Sequence, residues 1–334
     1  MRVALVGAGS WGTSLALVLN SNKHQVCCYT IEQETLDDVK NKKENARYLP
    51  GIEIPDEVKF TGDLKEAVAG AEMIINAVPS QVTRKVVPLV VEALDSSGQI
   101  WVTVSKGIEN KTYMQVTDVI AEAGNIPDDK IVALSGPSHA EEVSRNIPTA
   151  IVSASKNLES AKAVQKAFMT PFLRVYSSSD VAGVELGGAL KNIIALAAGI
   201  CDGAGFGDNT KAALMTRGLA EMNRLGVALG ARSDTFAGLS GMGDLIVTCM
   251  SRHSRNRHVG EEIGKGRKLQ AILDDMVMVA EGVKTTQSAY ELAKKMNIEM
   301  PITDQIYLTL FEDKSPYQAM LDLMTRESKS EDWG

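Results

Sequence analysis

A lysine inside an apolar segment is the residue whose position most clearly suggests chemistry. Lys191 lies near the middle of 184–199, a long stretch rich in apolar and small residues. A buried ammonium costs free energy unless it is paired, and burial lowers its pKa toward the range useful for proton transfer. Such a lysine can also extend its ammonium to the surface or pair with a structural carboxylate. We favour a functional lysine, because Asn192 adjoins it and glycine-rich loops surround the segment.

Two more polar features could serve the same site. Asp244 is a single acid in apolar surroundings, and a buried acid of this kind would orient the ammonium of Lys191. Ser254, Arg255 and Asn256 form a dense set of hydrogen-bond donors, in which the guanidinium could bind a phosphate through two parallel bonds. Taken alone, either feature could be structural.

The charge balance narrows the class of partner. The formal net charge is −7, which argues against nucleic acid because binding a phosphate backbone needs an extended basic surface. One basic cluster stands against this acidic background: Arg252, His253, Arg255, Arg257 and His258. A local basic patch on an acidic protein suits a small anion better than a polymer.

A glycine-rich motif at 7–12 predicts a second binding function. Gly7 permits a tight turn, Gly9 has no side chain to block a pyrophosphate, and Gly12 lets a helix and a strand pack closely. The N-terminus of the following helix would face the phosphates with free N–H groups and a positive dipole end. Glycines also gather in turns that bind nothing, so the motif needs its context.

That context is a strand, a turn, a helix and a second strand. An apolar run at 2–6 precedes the glycines, helical spacing follows at 13–19, and 24–29 reads as the next strand of a βαβ unit. Later segments continue the alternation, with strands at 73–78, 99–105 and 130–134 and helices at 82–94 and 113–123. Alternation of this kind predicts a parallel sheet that binds a dinucleotide.

From about residue 180 strand signals become rare. The sequence therefore predicts an α/β protein with a Rossmann-type, doubly wound parallel sheet followed by an all-helical C-terminal domain. We expect a dinucleotide-binding domain at 1–179 and a helical substrate-binding and catalytic domain at 180–334.

The end of the second predicted strand bears on cofactor choice. A carboxylate about 20 residues past the glycines can bind the adenosine ribose, whereas a basic residue there suits a 2′-phosphate. Ile31, Glu32 and Glu34 occupy this region, and the next basic residue is Lys40, which favours NAD over NADP. The alternative is that both acids merely begin a helix, where they complement its dipole.

Ligands of such sheets bind beyond the carboxyl ends of the strands, where further polar residues fall. Lys106 follows a strand directly and could meet an anionic or carbonyl group, although a solvated loop lysine is common. Ser138 and Glu141 have capping-box spacing, so Ser138 caps a helix, contacts substrate, or does both. We interpret His139 as a surface or packing residue, although histidine titrates near neutrality.

Compartment and metal content are also addressed by the sequence. Runs of 18 or more apolar residues are absent, and the first strand starts at residue 2, so we expect a cytoplasmic protein with neither a signal peptide nor an integral membrane segment. The four cysteines show neither disulfide nor metal-ligand spacing, so we expect buried reduced thiols and no metal site. A largely apolar helical domain makes a homodimer plausible.

Taken together, these motifs resemble the bacterial-type NAD(P)-dependent sn-glycerol-3-phosphate dehydrogenases over nearly the full length. The resemblance rests on segments at 7–13, 104–109, 135–138, 184–192, 241–245 and 254–257. It implies interconversion of dihydroxyacetone phosphate and sn-glycerol 3-phosphate by hydride transfer with NAD(P)H, supplying glycerophospholipid synthesis.

The same resemblance implies roles for particular residues. Lys191 would be the general acid and base, positioned by Asp244 and Asn192, and Lys106 would touch both cofactor and substrate. The residues implied to hold the substrate's phosphate and hydroxyls are Gly136, Ser138, Ser254, Arg255 and Asn256. The residues implied on the cofactor side are Ser10, Trp11, Lys106, Ala140, Arg255, Val279 and Glu281.

One departure and two alternatives remain open. Many members of the family carry a basic residue where this chain has Ile31, so we expect NAD to be used at least as well as NADP. The first alternative is a related two-domain reductase of another small anionic carbonyl or 3-hydroxy acid, without the Arg255 phosphate site. The second is a non-catalytic dinucleotide sensor, which would have no use for a desolvated Lys191.

Overall fold

The computed structural model describes residues 1–328 and 330–331, so the last residues of the expected helical domain, 332–334, lie outside it together with residue 329. In the described part the strands are β1 Arg2–Val6, β2 Gln25–Tyr29, β3 Glu44–Asn45, β4 Leu49–Glu53, β5 Val58–Thr61, β6 Met73–Asn76, β7 Ile100–Thr103, β8 Ile131–Ser135, β9 Thr149–Ala154 and β10 Leu173–Ser178.

Eight of these strands form one sheet in the order β10-β9-β8-β7-β6-β1-β2-β5, and β3 pairs with β4 in a separate hairpin. Neighbouring strands of the large sheet are parallel except β8 and β9, which are antiparallel. The predicted Rossmann-type sheet is confirmed. Of the strands in this sheet, the sequence interpretation found β1, β2, β6, β7 and β8, and it missed β5, β9 and β10.

The α-helices that cover the sheet and build the second half are α1 Ser10–Ser21, α2 Gln33–Lys42, α3 Leu64–Val68, α4 Thr83–Ala93, α5 Val116–Gly124, α6 Ala140–Val143, α7 Leu158–Phe168, α8 Val181–Gly203, α9 Asp208–Ala228, α10 Ser233–Phe236, α11 Asp244–Met250, α12 Arg255–Gly264, α13 Leu269–Asp275, α14 Glu281–Met296, α15 Pro301–Phe311 and α16 Pro316–Met324. The all-helical character predicted after residue 180 is confirmed.

The sheet is buried on both faces, as a doubly wound sheet must be. Side chains of β1 alternate between two apolar layers: Val3 and Leu5 belong to the layer that includes α1 and α7, whereas Ala4 and Val6 belong to the layer that includes α4 and α5. Because both faces of the sheet are covered, its strands are held in place, and their carboxyl ends face the helical half.

Helix α8 is the core of the helical half. It is long and apolar enough to cross a membrane, yet its apolar stretch is fully buried by the protein itself. It packs against α9, α11, α12 and α14. Its Glu185 carboxylate accepts hydrogen bonds from the backbone N–H and the hydroxyl of Thr117 at the start of α5, and burial raises the pKa of Glu185 to about 7. This contact joins the helical core to the sheet half.

Candidate active site

A cavity of about 570 Å³ lies between the carboxyl ends of the strands and the helical half. Most of the residues singled out from the sequence line it: Gly7, Gly9, Ser10, Trp11, Gly12, Lys106, Ser138, Ala140, Lys191, Asn192, Ser254, Arg255, Asn256, Val279 and Glu281. Gly136 and Asp244 stand behind this wall, where they hold lining residues. The fold thus brings residues from distant parts of the chain to one cleft.

The glycine-rich turn occupies one end of the cavity. Gly7 has a φ of 107°, and a Cβ there would lie 2.8 Å from the Ala77 carbonyl oxygen. A Cβ at Gly12 would lie 2.2 Å from the Gly7 carbonyl oxygen, so α1 can approach β1 only with glycine at this position. Gly9 faces open space within the described part of the chain, which leaves room for a pyrophosphate. The turn fits a dinucleotide.

A buried asparagine supports this turn. The Asn45 amide nitrogen donates to the Ala8 carbonyl oxygen at 2.8 Å and to the Thr13 hydroxyl at 2.9 Å. The sequence interpretation missed Asn45, because it lies in a two-residue strand with no motif of its own. It fixes the carbonyl side of the turn, so the N–H groups of the turn are directed to the other side.

The adenosine end of the cavity contains Ile31, Glu32 and Tyr48. The Glu32 carboxylate accepts a hydrogen bond from the Tyr48 hydroxyl at 2.5 Å and another from the Thr35 hydroxyl at 3.2 Å. Ile31 is 84% exposed, so this position presents an apolar side chain at the cavity wall where a basic residue would suit a 2′-phosphate. Glu32 is also the N-cap residue of α2 and Glu34 lies in its first turn, so these acids do begin a helix, while the Glu32 carboxylate is held in place at the cavity wall.

The centre of the cavity is a cluster of charged side chains. The Lys191 ammonium donates to Asp244 Oδ1 at 2.9 Å and to the Thr248 hydroxyl at 2.6 Å, and the Lys106 ammonium donates to Asp244 Oδ2 at 2.7 Å. One buried carboxylate thus holds two ammonium groups. Lys191 is 6% exposed, so it does not extend to the surface.

Burial is the largest influence on the pKa of Lys191, which it lowers to about 8; the Lys106 charge acts in the same direction and Asp244 opposes both. Burial alone would raise the pKa of Asp244, but the charges of Lys106 and Lys191 outweigh it and lower the pKa. The cluster therefore contains a firmly ionised acid and an ammonium that can release its proton near neutral pH.

Thr248 is a member of this cluster that the sequence interpretation missed. It lies four residues after Asp244 on α11, so both side chains project from the same face of the helix. That spacing, in a helix that carries a buried acid, was the available signal. Gly136 supports the other lysine, since its carbonyl oxygen accepts from the Lys106 ammonium at 2.9 Å.

Ser138 does not cap the helix, which corrects the capping-box prediction. The helix begins at Ala140 with His139 at the N-cap position, and the Ser138 hydroxyl donates to the Gly136 carbonyl oxygen at 3.0 Å. The reason is that α6 is only four residues long and starts later than the spacing suggests. His139 is half-buried at the cavity wall, 5.8 Å from the ring of His253, and its pKa is lowered by burial and by the charge of Lys191.

The donor cluster at 254–256 forms the first turn of α12 and the residue before it. Ser254 caps α12 by accepting from the Arg257 backbone N–H at 3.2 Å. The Arg255 guanidinium donates to the Val279 carbonyl oxygen at 2.9 Å, and Asn256 Oδ1 accepts from the Gly282 N–H at 2.9 Å. This turn is therefore fixed against the start of α14, beside Lys191 and Asn192.

Glu281 links the two sides of the cleft. Its carboxylate accepts from the Ser80 backbone N–H at 2.8 Å and from the Ser80 hydroxyl at 2.5 Å. Ser80 follows β6 in the sheet half, whereas Glu281 begins α14 in the helical half. Two more residues expected on the cofactor side also line the cavity. Val279 is 49% exposed at the cavity mouth. The carbonyl oxygen of Ala140 accepts a hydrogen bond from the Ser14 hydroxyl at 3.3 Å.

All four cysteines lie in the described residues and are buried free thiols, as expected. Among residues 1–328 and 330–331, His, Cys, Asp and Glu side chains do not gather in threes at any place suited to a metal ion.

Comparisons with known proteins agree with this arrangement. The family model described as NAD-dependent glycerol-3-phosphate dehydrogenase N-terminus matches residues 2–161, and the model described as the C-terminus matches residues 180–321. A protein of Citrifermentans bemidjiense named glycerol-3-phosphate dehydrogenase, NAD(P)+, is 51% identical over 99% of this chain and 98% of its own length.

A Thermoanaerobacter protein of the same name is 52% identical, with 99% of each chain covered. The crystal structure of glycerol-3-phosphate dehydrogenase from Coxiella burnetii has a TM-score of 0.92 and 38% identity, covering 97% of this chain and 99% of that one. The family models and the full-length identity lead to one conclusion: the chain belongs to the NAD-dependent glycerol-3-phosphate dehydrogenase family.

Proposed function

We propose that this protein interconverts dihydroxyacetone phosphate and sn-glycerol 3-phosphate, using NAD or NADP as the hydride carrier. The observation that carries the proposal is the buried Lys191 ammonium, held by Asp244 at the wall of a cavity that ends in a dinucleotide-binding turn. Relatives that match the whole chain support it, and they support neither the related reductase nor the non-catalytic sensor.

Lys191 is the proton donor and acceptor in this proposal. When bound, the nicotinamide supplies the hydride that adds to the substrate's carbonyl carbon. Lys191 then gives its proton to the carbonyl oxygen, and it takes that proton back in the oxidative direction. With its pKa near 8, the ammonium form serves reduction at lower pH and the amine form serves oxidation at higher pH.

Asp244 and Lys106 prepare this step. Asp244 holds the Lys191 ammonium in one orientation, helped by the Thr248 hydroxyl. Lys106 brings a second positive charge to the place where the carbonyl oxygen gains negative charge, so it stabilises the transition state. Asn192 donates to the Lys106 carbonyl oxygen at 3.3 Å, which keeps the Lys106 loop against α8.

The substrate's phosphate is bound at the first turn of α12. Ser254, Arg255 and Asn256 lie there, and the helix N-terminus adds free N–H groups and a positive dipole end. Gly136 and Ser138 complete the substrate side, across the cleft from this turn. Val279, Ala140 and Glu281 belong to the cofactor side together with Ser10 and Trp11.

NAD is the preferred cofactor in our proposal. The fixed Glu32 carboxylate is suited to accept hydrogen bonds from a ribose diol and would repel a 2′-phosphate. Exposed Ile31 offers no compensating charge. The nearby Arg47 guanidinium is already paired with Glu34 at 2.6 Å.

The wider setting follows from the reaction. We infer a cytoplasmic homodimer that supplies glycerol 3-phosphate for glycerophospholipid synthesis and has no nucleic-acid partner. The two functional units are 1–179 for the dinucleotide and 180–334 for substrate binding and catalysis.

The experiment that tests this function measures the oxidation of NADH and of NADPH with dihydroxyacetone phosphate, and with unphosphorylated dihydroxyacetone as control. Oxidation that depends on the phosphate, with higher catalytic efficiency for NADH, is the expected result. Absence of oxidation with either cofactor in folded protein would contradict the proposal, and a strong NADPH preference would contradict the role given to Glu32.

A further inference from the structure

A second cluster of charges lies behind the cleft, where α8, α9 and α12 meet. The Asp202 carboxylate accepts from Arg257 Nε at 2.8 Å and contacts Arg257 Nη2 at 2.6 Å. Lys211, in the first turn of α9, pairs with the same carboxylate. The three side chains are only 17–20% exposed, so water screens their interaction weakly.

Both charges of the main pair occupy unfavourable helix positions. Asp202 lies in the last turn of α8, where the helix dipole disfavours a negative charge, and Arg257 lies in the first turn of α12, where it disfavours a positive one. Arg257 also pairs with Glu261 on its own helix, at the longer distance of 3.4 Å, whereas its shortest ion-pair contact, at 2.6 Å, is with Asp202 and joins the two helices.

Glycines bring the backbones of these helices together. A Cβ at Gly199 would lie 2.0 Å from the Arg257 carbonyl oxygen, and a Cβ at Gly260 would lie 2.0 Å from the Leu196 carbonyl oxygen. These glycines allow close approach, and Val259 and Ile263 of α12 are buried in the same apolar core as Leu196 and Ile200 of α8. A directional bond such as the one from Arg257 to Asp202 then determines how α12 is rotated and shifted along α8.

The two helices carry different parts of the site. Helix α8 carries Lys191 and Asn192, whereas the first turn of α12 follows Ser254 and carries Arg255 and Asn256. We propose that Asp202, acting through Arg257, sets the separation between the phosphate-binding turn and the proton-donating lysine, which makes it a positioning residue for phosphorylated substrates. This inference rests on the proposed function, since it assigns the phosphate to α12.

The test compares Asp202→Asn with the unaltered protein in two measurements. We expect the KM for dihydroxyacetone phosphate to rise about tenfold, since small displacements of binding groups are costly, and the Kd for inorganic phosphate, measured by calorimetry, to rise in parallel. The kcat/KM for unphosphorylated dihydroxyacetone and the KM for NADH should change by less than about twofold, because Lys191 and the glycine turn keep their own supports.

Two control variants separate positioning from general weakening. Asp304→Asn removes the carboxylate of another partly exposed ion pair, with Lys294 at 2.8 Å, and should leave all four constants unchanged. Lys211→Met removes a charge from the same cluster but keeps the Arg257 bonds, so its effect on the KM should be smaller than that of Asp202→Asn. If Asp202→Asn does not fold, Arg257→Lys, which cannot form both bonds, should give the same pattern.

Equal losses with the phosphorylated and unphosphorylated substrates would overturn the inference, because a purely structural role predicts them. An unchanged KM and an unchanged Kd for phosphate would overturn it as well. Failure of the proposed function would give a different result. The unaltered protein would then not turn over dihydroxyacetone phosphate, while calorimetry would still detect phosphate binding.

Discussion

The two ends of the cleft hold their functional groups by different means. At the glycine turn the groups are backbone N–H donors, which the turn geometry places and which do not titrate. At the lysine cluster the group is a side chain, whose position and pKa depend on Asp244 and Thr248 of α11 and on Lys106 from the loop after β7. Changes at the first end should therefore alter cofactor affinity, and changes at the second should alter chemistry and its pH dependence.

The largest effect is expected from Lys191→Met. Loss of the proton donor should lower kcat by about 1,000-fold, within the range of general acid catalysis, while the Kd for NADH stays within about twofold. Steady-state assays with dihydroxyacetone phosphate measure kcat, and fluorescence titration with NADH measures the Kd.

The melting temperature of Lys191→Met tests whether the ammonium serves catalysis or stabilises the fold. Because burial lowers the pKa of Lys191 to about 8, the unfolded chain binds that proton more tightly than the folded protein, and the ammonium destabilises the fold at neutral pH. That penalty fades as pH rises through 8 toward the unfolded pKa. The melting temperature of Lys191→Met near neutral pH should not fall; a clear decrease would show that the ammonium is structural.

Gly12→Ala tests the other end of the cleft. The added Cβ would lie 2.2 Å from the Gly7 carbonyl oxygen, so the turn must move. We expect the KM for NADH to rise about 30-fold, together with a loss of about 1–3 kcal/mol in unfolding free energy. The pH at which reduction is half-maximal should stay unchanged. A shift in that pH would mean that the two ends are not independent.

Thr248→Val should give a smaller effect, and it should change kcat and its pH dependence rather than the KM for NADH. Its hydroxyl accepts from the Lys191 ammonium at 2.6 Å, so its removal destabilises the charged form. Reduction should lose about tenfold in kcat and should fail at a lower pH than in the unaltered protein, where it declines as pH rises through about 8. The pH profiles of kcat for both proteins measure this, and an upward shift would contradict the hydrogen-bond assignment.

Glu32→Gln should have the smallest effect. Without the negative charge the repulsion of a 2′-phosphate falls, so the ratio of kcat/KM for NADPH to that for NADH should rise about fivefold. Asp37→Asn, which removes an exposed acid from α2, the helix that follows Glu32, is the matched control and should leave the ratio unchanged. An equal rise in both variants would point to the overall charge of α2 rather than to Glu32.

The contrast between the two ends also explains what the sequence reveals. The turn at Gly7–Gly12 is local, so strand, glycines and helix are visible in one short segment, and the parallel sheet follows from the alternation after it. Strands β9 and β10 were missed because β9 runs antiparallel to β8 and both lie near the predicted change to helices. Local patterns do not encode such a pairing.

The lysine cluster was only partly visible for a related reason. Lys191 and Asp244 stood out as charges in apolar surroundings, but their shared partner Lys106 is 85 positions before Lys191 in the printed sequence, and only the fold shows that both ammonium groups meet one carboxylate. Tyr48 carries no motif, and Ser80 is visible only as a polar residue just after a predicted strand. Their roles arise from strand ends and loops that meet across the cleft.

Helix α8 has a consequence for the newly made chain. Before the protein folds, this segment offers a bilayer-inserting machinery a stretch as long and apolar as a membrane span. Lys191 lies near the middle of this segment, and a lysine at the centre of a span disfavours insertion by about 2.5–3.5 kcal/mol on translocon scales. The lysine that we propose as the proton donor thus also disfavours insertion of this segment into a bilayer before the protein folds.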